Sequence, residues 1–175
     1  MKKGFTLLEL MIALMLISAL LLSIYPTWSK LGHQRILEKE QEKLALFLRQ
    51  LQSRVSNSQQ VWFLIASRDF LHKRWCLTAQ MKSEQLCDCL SPQHCSSDLS
   101  AQFYYPHFPH KTMINTKNYF PFEITRLSGI RDTLSTACFT LSSNKEKVVF
   151  SLFNVGSIKL KKAQESGACE NDGED

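Results

Sequence analysis

Twenty consecutive residues without a charge, Leu10 to Ser29, govern what this chain can become. Between Leu10 and Ile24 nearly every one is Leu, Ile, Met or Ala. At about 1.5 Å per residue the run makes a helix roughly 30 Å long, enough to cross a bilayer. Lys2 and Lys3 precede it, so the positive-inside tendency holds the amino terminus in the cytoplasm and sends the carboxyl side out. A cleaved secretory leader fits poorly. The run passes into Tyr25-Pro26-Thr27-Trp28 with no small-x-small cleavage site, and it carries Glu9 near its start. An ionised Glu in a membrane helix costs about several kcal/mol unless something compensates it, which marks Glu9 as functional.

Gly4-Phe5-Thr6-Leu7-Leu8-Glu9-Leu10 resembles the processing site of type IV prepilins and type II secretion pseudopilins. In that family a membrane prepilin peptidase cuts after the Gly and methylates the new amino terminus. The resemblance implies cleavage between Gly4 and Phe5, with Phe5 becoming N-methylphenylalanine. Glu9 then takes the place of the family's Glu, and Pro26 that of its helix-kinking proline. A proline there removes one intrahelical hydrogen bond and is expected to bend or locally melt the helix. Buried among packed subunits, Glu9 would meet the freed amine of a neighbouring Phe5, turning two costly charges into a pair that sets axial register.

Beyond the membrane the helical pattern continues. Leu37, Leu44, Leu48, Leu51 and Val55 form one apolar stripe, with Arg35, Glu38, Lys39, Glu40, Glu42 and Lys43 at the other positions. After Ser53 the pattern changes to short runs suited to strands: Val61 to Ile65, Lys73 to Ala79, Gln102 to Tyr105, Ala137 to Ser142, Lys147 to Phe153 and Ser157 to Lys161. The last three read as an antiparallel meander. Leu90 to Arg131, rich in Ser, Pro, Asn and aromatics, reads as a long loop region. The expected class is α+β, a long amino-terminal transmembrane and amphipathic helix packed on a small antiparallel β-sheet domain, as in type IV pilins. Its expected divisions are a leader at 1–4, a transmembrane and assembly helix at 5–29, an amphipathic continuation at 30–56, a disulfide-braced β-rich domain at 57–168 and an acidic tail at 169–175.

The later chain carries a second, diffuse resemblance. Val148-Val149-Phe150-Ser151 with Gly156-Ser157-Ile158-Lys159-Leu160 is similar to the closing strands of the minor pilin group of the H pseudopilin and FimT, and Trp75-Cys76-Leu77 to the prepilin peptidase-dependent protein A branch. DNA-binding members close on Gly-Arg-x-Arg. Here the turn reads Gly156-Ser157-Ile158-Lys159, without the first Arg. Lys159, Lys161 and Lys162, with Lys145 and Lys147, still offer a ridge for phosphates, against the plainer use of lysines to guard an edge strand. Overall charge argues little: 21 basic against 16 acidic side chains give +5, and loss of Lys2 and Lys3 lowers this to +3. Phe103-Tyr104-Tyr105-Pro106-His107-Phe108 offers rings for base stacking, with core and loop packing the commoner use.

Exported cysteines favour disulfides. Six thiols allow many pairings. The expected set joins Cys138 to Cys169, tying down the tail, and makes two local bridges among Cys76, Cys87, Cys89 and Cys95, since Cys87 and Cys89 are too close to pair with each other. Cys87, Cys89, His94 and Cys95 would suit Zn²⁺ only if the thiols were reduced, so no metal is expected. His33, His72, His94, His107 and His110 lack a partner motif for catalysis. An enzyme reading, a membrane-anchored periplasmic thiol oxidoreductase, would need a low-pKa thiol at Cys87 or Cys89. The expected function is a minor type IV pilin that enters or primes a pilus, for competence, DNA uptake or adhesion, with a minor pseudopilin of a type II secretion system as the alternative. It would need no cofactor. Expected partners are the prepilin peptidase, other pilins or pseudopilins, the inner-membrane assembly platform, the membrane and, for the lysine ridge, DNA. Expected localisation is single-pass in the inner membrane with the domain periplasmic, then in an extracellular pilus.

Overall fold

The apolar run and the stripe after it form a single helix, α1, over Leu7–Ser58. A computed structural model describes residues 7–96, 99–162 and 169, excepting the side chains of 22–30 and 162. Gly4, Phe5 and the tail other than Cys169 lie outside the described residues. The α1 backbone stays helical through position 26, so no melted turn interrupts it there.

Two antiparallel sheets pack against the second half of α1. The first holds β1 (Val61–Asp69), β2 (Arg74–Met81), β3 (Ala101–Tyr104), β5 (Phe122–Ser128) and β6 (Thr133–Leu134) in the order β3-β2-β1-β5-β6. The second holds β4 (Met113–Asn115), β7 (Ala137–Ser143), β8 (Glu146–Leu152) and β9 (Ile158–Lys162) in the order β4-β7-β8-β9. Leu37, Leu44, Leu48, Leu51 and Val55 enter one core with Leu64, Trp75, Leu77, Phe139 and Phe150, so the stripe is the face that holds helix to sheets. The expected α+β architecture is the observed one.

The segment from Leu90 to Arg131 corrects the expectation of a long loop. Besides β3 it contains a 3-10 turn (Pro92–His94), β4 and the seven-residue β5. In β5 a bulge breaks the period of two: Leu64 faces Thr125 and Ile65 faces Glu123, skipping Ile124. Ile124 and Leu127 therefore both reach the core although they stand three positions apart, an offset that an unbroken strand would send to opposite faces.

The first sheet is covered on both faces. On the face away from α1, Ile65, Cys76, Thr78 and Gln80 are almost wholly buried. The segment after β2 folds back over that face. Gln80 accepts from the Cys87 amide at 2.7 Å and donates to the Gln85 carbonyl at 2.9 Å, and bridges Cys76–Cys89 and Cys87–Cys95 fix the segment in place. Bridge Cys138–Cys169 lies on the second sheet, its sulfurs 31 residues apart in sequence.

Chain direction gives the domain two poles. β1 begins just past the carboxyl end of α1 and runs back toward its amino end. At the far pole, Gly129 lies so close to the Val55 carbonyl that a Cβ would collide with it, and Gln52 donates to the Gly156 carbonyl at 2.8 Å. At the near pole sits the β1–β2 turn. There Asp69 accepts from the His72 amide at 3.1 Å and lies 2.6 Å from the His72 ring nitrogen and 3.4 Å from Arg74. Hydrogen bonds from the His72 backbone and ring, with help from Arg74, hold the Asp69 carboxyl at about 2. Below that pH the turn loses its anchoring carboxylate; above the ordinary aspartate value the anchor is complete.

Candidate functional site

The two halves of α1 have opposite surroundings. From Leu7 to Leu21 every side chain is exposed, Leu7 by 77% and Met15 by 75%, and Glu9 is exposed in the first turn. From Leu37 onward the helix buries its stripe in its own domain. So continuous an apolar surface on all sides of a helix is not stable in water and requires lipid or other helices around it. Among the described residues no helical stretch is long and apolar enough to cross a membrane; the side chains of 22–30, where the uncharged run continues, are outside them.

Near the start of the second half lies a site that the charge pattern of the helix conceals. Glu40, expected on the polar face, has no exposure at all. Its carboxylate accepts the backbone amides of His107 at 2.8 Å and Phe108 at 3.0 Å, and the hydroxyl of Tyr104. Lys43, one turn on, donates to the Tyr105 carbonyl at 2.7 Å, its ammonium 5.0 Å from the centre of the Tyr104 ring. Burial pushes the Tyr104 phenol far above its usual range, reinforced by its hydrogen bond to Glu40 and that group's charge. A buried carboxylate is tolerated because three donors meet it. The signal in the sequence was position: Glu40 stands three residues after Leu37 and four before Leu44, on the apolar stripe itself.

This clamp decides the use of Tyr104 within the aromatic run. Tyr104 is buried against Phe47 and Trp75, with ring centres 5.2 and 5.8 Å away, and Tyr105 donates to the Cys89 carbonyl at 3.1 Å. Tyr104 is thus a packing residue, while the Tyr105 ring, tied to Cys89 through its hydroxyl, remains 48% exposed.

Lys159 and Lys161 are exposed on β9, the edge of the second sheet, opposite Ser151 and Val149. They share the outer face with Lys147 of β8, and the Lys159 ammonium sits 5.5 Å from the Phe153 ring. Lys145 occupies the β7–β8 turn. The strip is short, and bridge Cys138–Cys169 occupies the same face, since Cys138 pairs with Ser151. Cys76, Asp88 and Cys89 come close enough to suggest a metal cluster, but their two sulfurs are bonded to each other and are not thiolate ligands.

The amino-terminal residues 1–25 match the family model of the prokaryotic N-terminal methylation motif. A protein of Haemophilus influenzae, described as an uncharacterized protein, is 50% identical over 169 residues, covering 97% of this chain and 99% of its own. No solved structure matches the chain. The likeness therefore extends through the clamp and both sheets, and the chain belongs to the family of that Haemophilus protein, built as a β domain behind a type IV prepilin-like methylation motif.

Proposed function

We propose that this protein is a minor type IV pilin, cut by prepilin peptidase between Gly4 and Phe5, methylated on Phe5, held in the inner membrane by α1 and then drawn from the assembly platform into a pilus. The observation that carries the reading is the methylation motif over residues 1–25, continuous with a helix whose apolar side chains from Leu7 to Leu21 are exposed. Assembly follows from the physics. Packing the exposed half of α1 against other subunits removes apolar surface from its surroundings, and pairing Glu9 with a neighbouring Phe5 amine selects one axial register. The motif points to a structural rather than an enzymatic role.

Intact mass of the membrane-extracted protein tests the first step. The expected result is loss of Met1 to Gly4 with one added methyl group, and an intact Met1 terminus would end the reading. The β9 lysines serve in this proposal as guards of an edge strand. A gel-shift series with Lys159, Lys161 and Lys162 changed to Gln is expected to leave DNA retention unaltered; a salt-sensitive loss would instead assign the strip to phosphate contacts.

A further inference from the structure

We propose that the near pole of the domain is a lipid-contacting surface, seated on the anionic headgroups of the membrane that α1 enters. The inference rests on the reading of residues 10–29 as a membrane anchor.

Three turns meet at this pole. The β7–β8 turn lies beside the helix where the His33 ring nitrogen comes within 3.3 Å of the Ser143 hydroxyl. His33 is four residues past Ser29, or about 6 Å along the axis. The segment leading into β4 is held at the level of Glu40, which binds the amides of 107 and 108. Trp75 donates to the Thr112 carbonyl at 3.0 Å and Arg68 to the Ile114 carbonyl at 3.0 Å, bringing the ends of β1 and β2 to that level too. The β1–β2 turn lies beyond the Arg68 and Trp75 anchors along the strands, which under the anchor reading is the membrane side.

Its tip is apolar and exposed, Leu71 by 92% and Phe70 by 69% with the Arg68 guanidinium 3.6 Å from the centre of its ring. Lys73 in this turn, Arg35 on α1, Lys111 before β4 and Lys145 in the β7–β8 turn are exposed, against the acidic Glu38 on α1 and Glu146 beside Lys145, while Asp69 is engaged by His72 and Arg74. Exposed apolar tips alone would argue little, since Ile130 and Val155 are equally bare at the far pole. Cations stand at the far pole as well, Arg131 beside Ile130 and Lys82 beside Val61; what distinguishes the near pole among the described residues is its place a short distance from the end of the uncharged run. Cations near an anionic leaflet and apolar side chains at its boundary are the two components of interfacial binding. Seated this way, the domain would stand at a fixed angle on the bilayer before assembly, with the exposed half of α1 below it.

The test uses the full chain in vesicles, with Leu71→Trp as reporter and the parent chain as reference for Trp28, Trp62 and Trp75. In vesicles of phosphatidylglycerol and phosphatidylcholine the reporter's emission should shift to the blue and its quenching by acrylamide should fall severalfold compared with phosphatidylcholine alone. Each lysine near the surface is worth about fivefold in docking. Combining Lys73→Gln, Lys111→Gln and Lys145→Gln, or adding salt, should restore quenching. If alkaline washing strips the chain from the vesicles, the anchor reading fails and the inference with it. If the chain stays but the reporter is equally quenched in both lipids, the inference alone is overturned. Protection that develops only in assembled filaments would assign the pole to a neighbouring subunit and also overturn it.

Discussion

Replacing Glu40 by Ala should destabilise the oxidised domain by about 3 kcal/mol or more, among the largest effects open to a single polar residue of this chain. The substitution leaves two amides and a hydroxyl without the fully buried carboxylate that accepts them, and each such group costs about 1–3 kcal/mol when nothing replaces its acceptor. For a domain of this size the thermal midpoint should fall by roughly 10 °C, read by near-ultraviolet circular dichroism on the detergent-solubilised chain. Tyr104→Phe removes one of the three donors and should cost only about 1 kcal/mol. A loss below that for Glu40→Ala would mean that water takes the place of the carboxylate at these donors. The same clamp has an alkaline signature. In the unfolded chain Tyr104 ionises near about 10, whereas the folded phenol keeps its proton. Stability therefore falls as pH rises above that unfolded value. Tyr104→Phe should flatten this part of the curve.

Glu9→Val should abolish incorporation into filaments while leaving the thermal midpoint of the domain unchanged. The substitution makes the helix more apolar, so membrane insertion is not impaired. What disappears is the partner for an amine that would otherwise be buried alone, a defect of about several kcal/mol at every subunit contact. Sheared filaments examined for the protein, beside total membranes, check the result. Ordinary incorporation of the variant would show that register is set without the pair.

Much of this architecture was legible because it follows simple periods. The stripe from Leu37 to Val55 and the meander of β7, β8 and β9 are regular enough to read directly. β5 was hidden because the bulge opposite Leu64 and Ile65 destroys its alternation, and β4 and β6 are too short to have a period. Glu40 escaped for a different reason. Its charge suggests solvent, and only the distant amides of His107 and Phe108 make burial tolerable. The near pole was equally obscure, since Phe70 and Leu71 look like core residues until a turn places them outside.

Bridge Cys138–Cys169 bears on how the domain answers force. An edge strand is ordinarily the first element to peel, its hydrogen bonds opening one after another like a zip. Here the chain leaving β9 is fastened to β7, on the far side of β8. A pull on the carboxyl end is therefore carried covalently to a central strand before β9 is loaded. Tension along the molecule must act on whole strands in shear, many bonds at once, rather than on one pair at a time.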